Sequence, residues 1–283
     1  MSKPRLLLVN AFQLSPNAGY GLRPATGSRE VLVMDYENVA RHLEDVEWDA
    51  HPGALATHGD HPVETREEFL IVAANRIRVV REACESGRHD AIVLLGGGDP
   101  GYLEALEIGR RFGVAVTSCA HAQMHMATLL GQYFGIIDIS ETHNAQMANL
   151  VVQYRFTEHC TGIRSLDFPL PRPANAGRPK ISDEKARALR GEPSAMLDAA
   201  FAAAEAAIEE DGAETLILGC SAAFWMRPFL EERLKQAGWD VPVLEGFACA
   251  IDMAKLLLRM RLTASGLAFP MDPPRRSRRR KLV

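Results

Sequence analysis

The chain has no long apolar run. Nowhere do about 18 apolar residues follow one another, the length a membrane helix needs, so no membrane span is expected. The opening "MSKPRLLLVNAF" is too short in its apolar part for a signal peptide and reads as a first buried strand. Cysteine is scarce: Cys84, Cys119, Cys160, Cys220 and Cys249 are odd in number, irregular in spacing and free of any C-x-x-C. That pattern suits free thiols in a reducing cytoplasm rather than a disulfide framework. Charge of one sign is also lacking. A net charge of −4 gives no global field that would gather nucleic acid, and no nucleic-acid partner is expected. The basic run "PPRRSRRRKLV" (Pro273–Val283) has no aromatics to stack on bases and reads as a solvated tail.

Two further absences bear on cofactors. G-K-[ST] does not occur, so there is no P-loop. His121 and His125 stand four apart, and His58 and His61 sit in "HGDH", but the glutamates of a zinc protease are missing. No metal and no cofactor are expected.

What is present is an alternation. Short apolar runs at 5–10, 90–96, 113–119, 134–140, 215–220 and 241–246 read as buried strands. Helical spacing fills 64–87 and 193–212, each stretch ending in glycine. Strand–helix alternation predicts an α/β fold with parallel sheets, and ligands then sit beyond the carboxyl ends of the strands. The polar loop 13–30 and the Pro- and Gly-rich segment 172–194 read as surface connections, either plain or able to close over a ligand.

The sequence also repeats itself. "DAIVLLGGGDPGYLEAL" (90–106) lies without a gap over "ETLILGCSAAFWMRPFL" (214–230), and "VAVTSCAHAQMHMA" (114–127) over "VPVLEGFACAIDMA" (241–254). This predicts two similar lobes with parallel sheets flanked by helices, related by a pseudo-twofold axis, with a site in the cleft between them. Lobe one is expected over 1–117, completed by 247–265, lobe two over 118–246, and a C-terminal tail over 266–283. The turns at Gly96 and Cys220 would face the cleft.

Gly96, Gly98 and Gly101 satisfy G-x-G-x-x-G, but as a nucleotide loop the stretch is weak. Asp99 is placed to cap the following helix with Pro100 at its first position, where it would repel a phosphate, and no acid follows the next strand to hold a ribose. Cys220 has the better setting. It ends a strand and precedes Ser221 and a helix, whose amides would favour a thiolate able to act as base or nucleophile. The competing reading is a buried, inert thiol. His121, just past a strand end, is a candidate acid, base or hydrogen-bond donor at the cleft mouth. Cys84, Cys160 and Cys249 read as packing residues.

Taken in order, Asn10, "GGGDPGYLEAL", "CAHAQMHMATLLGQYF", "CTGIRSLDFPLP", "LILGCSAAF" and "VPVLEGFACAIDMAKLL" resemble the aspartate/glutamate/hydantoin racemase superfamily, and most closely its hydantoin and allantoin racemase branch. The likeness covers most of 88–270 and is weaker over 11–87, where "AFQLSPNAG" departs from the family's "PNTS". It implies cofactor-free proton transfer at an activated carbon by two thiols on opposite faces. One thiol is Cys220. The other falls on Gly96, and a glycine cannot be a base. Either Cys119, His121 or Asp99 supplies a second base, or one thiol suffices, as in the related arylmalonate decarboxylases. In both versions Asn10, Gly97, Gly98 and Ser221 would hold substrate oxygens, with Gly96 lining the site. The resemblance thus implies a cytoplasmic racemase or epimerase acting on a small molecule, a lyase being the alternative and a catalytically inactive binding protein the third reading. A homo-oligomer is expected.

Overall fold

The computed structural model of the protein describes residues 3–24, 26–55 and 60–269; His58 and the basic run from Pro273 lie outside them. Two four-stranded sheets organise the chain. The first holds β1 (Arg5–Val9), β2 (Glu47–His51), β3 (Ala91–Leu94) and β4 (Ala115–Ser118) in the order β2-β1-β3-β4. The second holds β5 (Phe134–Asp138), β6 (Cys160–Ser165), β7 (Thr215–Leu218) and β8 (Val243–Leu244) in the order β6-β5-β7-β8. Every pairing is parallel.

The two sheets are copies in strand order, and the register agrees with the internal repeat. Ile92 pairs with Val116 in the first sheet, and their repeat counterparts Leu216 and Val243 pair in the second. The same register carried to β1 and β5 sets Asn10 against Asp138. Four-residue strands such as "AIVL" and "TLIL" are wholly buried, as expected of parallel sheets covered on both faces. The two strands with no apolar run, β2 and β6, are edge strands. One has buried Trp48 between exposed neighbours and the other has no fully buried residue, which is why neither shows as a run.

Parallel strands need crossovers, and helices supply them. In chain order they are α1 (Arg29–Leu32), α2 (Tyr36–Val39), α3 (Arg66–Glu85), α4 (Tyr102–Phe112) and α5 (Cys119–Leu130). Then come α6 (Glu141–Gln153), α7 (Ile181–Leu189), α8 (Ala195–Glu209), α9 (Arg227–Gln236) and α10 (Gly246–Met260). Helix α3 starts on a capping box between Thr65 and Glu68. The segment 172–194 is more than a connection, because it contains α7 and a 3-10 turn at Pro173–Asn175. Among the described residues no helix is long and apolar enough to cross a membrane.

The last helix of each half crosses to the other half. Helix α10, which follows the second sheet, packs on β3 and β4, and α5, which follows the first, packs on β7 and β5. The two also pack on each other. A single apolar cluster therefore runs from Leu6 and Val93 through Cys119 and Met124 to Ile136 and Ile217. A smaller cluster under α3 and α4 covers the other face of the first sheet.

Candidate active site

The carboxyl ends of β1, β3 and β7 open onto a cleft of two adjoining chambers. Both are lined by Ala11, Phe12, Leu22, Pro62, Gly96 and Ser221. The first adds Asn10 and Arg23, the second Gly97, Gly98, His143 and Cys220.

The two turns of the repeat, after β3 and β7, touch. A Cβ on Gly97 would fall 1.9 Å from the Gly219 carbonyl oxygen and 2.9 Å from the Cys220 Cα. Only glycine lets the turns approach so closely. Gly96 has φ +121°, a conformation that an L side chain rarely adopts, so the position opposite Cys220 in the repeat is built for a bare backbone.

Cys220 caps a 3-10 turn, Ser221–Met226, rather than an α-helix; α9 begins only at Arg227. It is buried, with 5% of its surface exposed. Behind it stands a pair that sequence reasoning missed. His143, three residues into α6, shares a 2.6 Å hydrogen bond through Nδ1 with the buried Asp138 carboxylate at the end of β5. Burial alone would push the His143 imidazole down, but the Asp138 carboxylate and the Cys220 sulfur beside it hold its pKa well above the ordinary value. The imidazole therefore lies between a carboxylate and a sulfur. Nothing near "ETHNAQM" announces this. Only the strand register of the structure sets Asp138 where Asn10 ends β1.

Asn10 lines the first chamber, 3% exposed, and its Nδ2 donates to the Leu32 carbonyl at 2.9 Å. Arg23 was also missed, because a lone arginine in a polar loop carries no local pattern. Ser221, Gly96, Gly97 and Gly98 stand in the cleft as expected.

The structure does not bring the three candidate second bases to this cleft. Asp99 does not cap its own helix, because Gly101 precedes α4. Its carboxylate instead caps α5, accepting from the amides of Ala120 (3.0 Å) and His121 (2.9 Å), the Ser118 hydroxyl (2.6 Å) and the Tyr154 hydroxyl (3.1 Å). Cys119 is wholly buried at the start of α5 and donates to the Leu94 carbonyl; burial pushes its thiol well above the ordinary range. His121 packs between Tyr102 and Tyr154, with its ring nitrogens spent on Tyr102 and His125, both at 3.1 Å. Burial and the neighbouring His125 drop its pKa to about 3, so it is a neutral packing residue. Cys84 and Cys249 are buried and Cys160 half-buried, and all five cysteines are free. Among the described residues no three metal-type side chains cluster.

A buried thiol and a carboxylate-paired histidine on one wall, glycines on the other, and a duplicated two-sheet frame give the outline of a racemase-type enzyme. The profile of the family described as Asp/Glu/Hydantoin racemase matches residues 36–254, and the chain belongs to that family. It is 28% identical over 169 residues to a hydantoin racemase of Rhizobium meliloti, an alignment covering 60% of each protein, so the matched stretch is less than two thirds of that relative. The fold is similar to that of allantoin racemase from Klebsiella pneumoniae, with TM-score 0.65, 21% identity, and 96% and 95% of the two chains covered. It is also similar to a glycine-to-cysteine variant of arylmalonate decarboxylase, with TM-score 0.51, 16% identity, and coverage of 90% and 93%.

Proposed function

We propose that this chain is a cofactor-independent racemase or epimerase acting on a carbon acid, a hydantoin-like or amino-acid-derived compound whose acidic carbon adjoins a carbonyl. Cys220 is the acid–base group. One observation carries the reading: Cys220 lines the cleft with the Asp138–His143 pair behind it. An imidazolium beside the sulfur stabilises a thiolate, which removes the proton from carbon and becomes a thiol. The enolate oxygen that forms is met by amides of Gly97, Gly98 and Ser221 and by the Asn10 side chain. Solvent water on the face that bare Gly96 leaves open protonates the enolate and inverts the carbon, and the Cys220 thiol gives its proton to the hydroxide so formed, which restores thiolate and water with no atom gained or lost.

The experiment is exchange in heavy water with enantiopure 5-substituted hydantoins, read by NMR and circular dichroism together. Deuterium should enter at carbon 5 with loss of optical activity. Cys220→Ala should lower the exchange rate at least a hundredfold, the scale of losing a positioned general base. Full activity in Cys220→Ala would sink the reading.

Gly96 favours a second reading. With no side chain on that wall, Cys220 protonates from one face, which suits a carbanion formed by loss of carbon dioxide. The likeness to arylmalonate decarboxylase supports the same idea. Carbon dioxide release from a 2-aryl-2-methylmalonate, giving one enantiomer of the 2-arylpropionate, would favour it over racemisation.

A further inference from the structure

Proton transfer at Cys220 leaves one charged group of the cleft unused. Arg23 lies in the loop after β1 and lines the first chamber beside Asn10, Gly96 and Ser221. Its Nη2 donates to the Phe12 carbonyl and, at 3.4 Å, to the Pro52 carbonyl. Carbonyl oxygens brace a guanidinium but do not neutralise it. Among the described residues no carboxylate pairs with Arg23, and its Nε and Nη1 donate to no protein acceptor. Burial pulls its pKa down to about 10, with no acidic neighbour pushing the other way. Elsewhere the chamber is apolar, walled by Phe12, Leu14, Met34, Leu95 and Phe247.

Arg23 is half-buried, and a charge partly withdrawn from water without a counterion is costly and favours a ligand that supplies one. The planar guanidinium fork matches a carboxylate in particular. The chamber holding Arg23 shares Gly96 and Ser221 with the chamber holding Cys220, so one small molecule can span both.

We propose that Arg23 is the specificity-determining residue of this cleft and that the substrate is a carbon acid bearing a carboxylate, which Arg23 binds while the acidic carbon faces Cys220. This rests on the reading of Cys220 as the proton-transfer group. It narrows the substrate class: a neutral alkyl hydantoin fills the cleft but leaves the guanidinium without a partner.

The test compares two near-isosteric probes, 5-carboxymethylhydantoin and its amide, 5-carbamoylmethylhydantoin, as substrates in heavy water and as ligands of the full chain carrying Cys220→Ala. The carboxylate should be preferred by roughly 10- to 100-fold in kcat/KM and in calorimetric Kd, the range of a charge-assisted hydrogen-bonded pair. Arg23→Gln should shrink that ratio below threefold, and Arg23→Lys should restore part of it. Equal handling of both probes by the unaltered protein overturns the inference. So does an Arg23→Gln variant that weakens both probes by one common factor, since bracing of Phe12 and Pro52 would then be the whole role of Arg23. The two readings fail separately. Exchange without preference sinks the Arg23 inference and leaves Cys220 standing. Preferential binding without exchange sinks the Cys220 reading and leaves anion recognition standing.

Discussion

Gly97 shows how much of this site is decided by atoms that are missing. Its ideal Cβ would overlap the Gly219 carbonyl oxygen at 1.9 Å, and the obstacle is backbone, which cannot swing aside as a side chain can. Gly97→Ala should therefore separate the two turns, costing about 3 kcal/mol or more of stability and the activity with it. Gly87→Ala is the comparison: φ is +62° but nothing lies within 4 Å, so only backbone strain of about 1 kcal/mol is expected. Urea unfolding of the two variants separates crowding from strain, and equal losses would mean that the turns can part freely. At this scale the sequence was legible at the two matched turns that follow β3 and β7. Gly96, Gly97, Gly98, Cys220 and Ser221 all reached the cleft. His143 and Arg23 did not announce themselves, because a buried charge is defined by what surrounds it in space. Asp99, Cys119 and His121 misled for the complementary reason. They follow strand ends, as site residues do, but their polar atoms are spent on starting and packing α5.

Helix α5 shows the same economy one level up. Its first turn is capped from outside by Asp99, and its His121 is packed against Tyr102 and Tyr154 as a neutral ring. A histidine with a folded pKa of about 3 binds its proton far more readily once unfolded, near its ordinary 6.5. The sign follows: stability from this group is complete above pH 6.5, falls as pH drops below it, and is wholly lost by pH 3. Between pH 7.5 and pH 5 the loss comes to about 2 kcal/mol. His121→Gln removes the titrating group, so its unfolding free energy should fall by about that much less over the same interval. Parallel denaturant curves at the two pH values measure it; identical pH dependence in both proteins would contradict the buried neutral imidazole. Among elements, strands and helices with a strong period were legible to within a few residues, as 64–87 and 193–212 resolve into α3 and α8. The edge strands β2 and β6 were not, since an edge strand half in water needs no apolar run. Helix α7 hid behind the prolines and glycines that flank it.

For the whole molecule the decisive feature is the exchange of α5 and α10. Each sheet covers one face with a helix that belongs, in chain order, to the other half, and the apolar cluster that results is continuous through both. Neither half can bury its own core alone, so the chain should unfold in one step although it is a duplication. Ile217 in the second sheet and Val93 in the first are both wholly buried in that cluster. Ile217→Ala should cost about 2–5 kcal/mol, and Val93→Ala somewhat less. Each should move a single midpoint. Trp48 beside β1 and Trp225 after β7 report on the two halves, so fluorescence of proteins retaining only Trp48 or only Trp225, with Trp239 replaced by Phe in both, gives each half its own signal. The two signals should coincide in the parent protein and move together in both variants. If Ile217→Ala shifts the Trp225 transition and leaves that of Trp48 in place, the halves are independent, and contact between Gly97 and Gly219 would no longer be guaranteed by folding. Coincident shifts would mean that the geometry of the cleft is a property of the whole chain. The distance between the Cys220 wall and the glycine wall would then be as firm as the core beneath them.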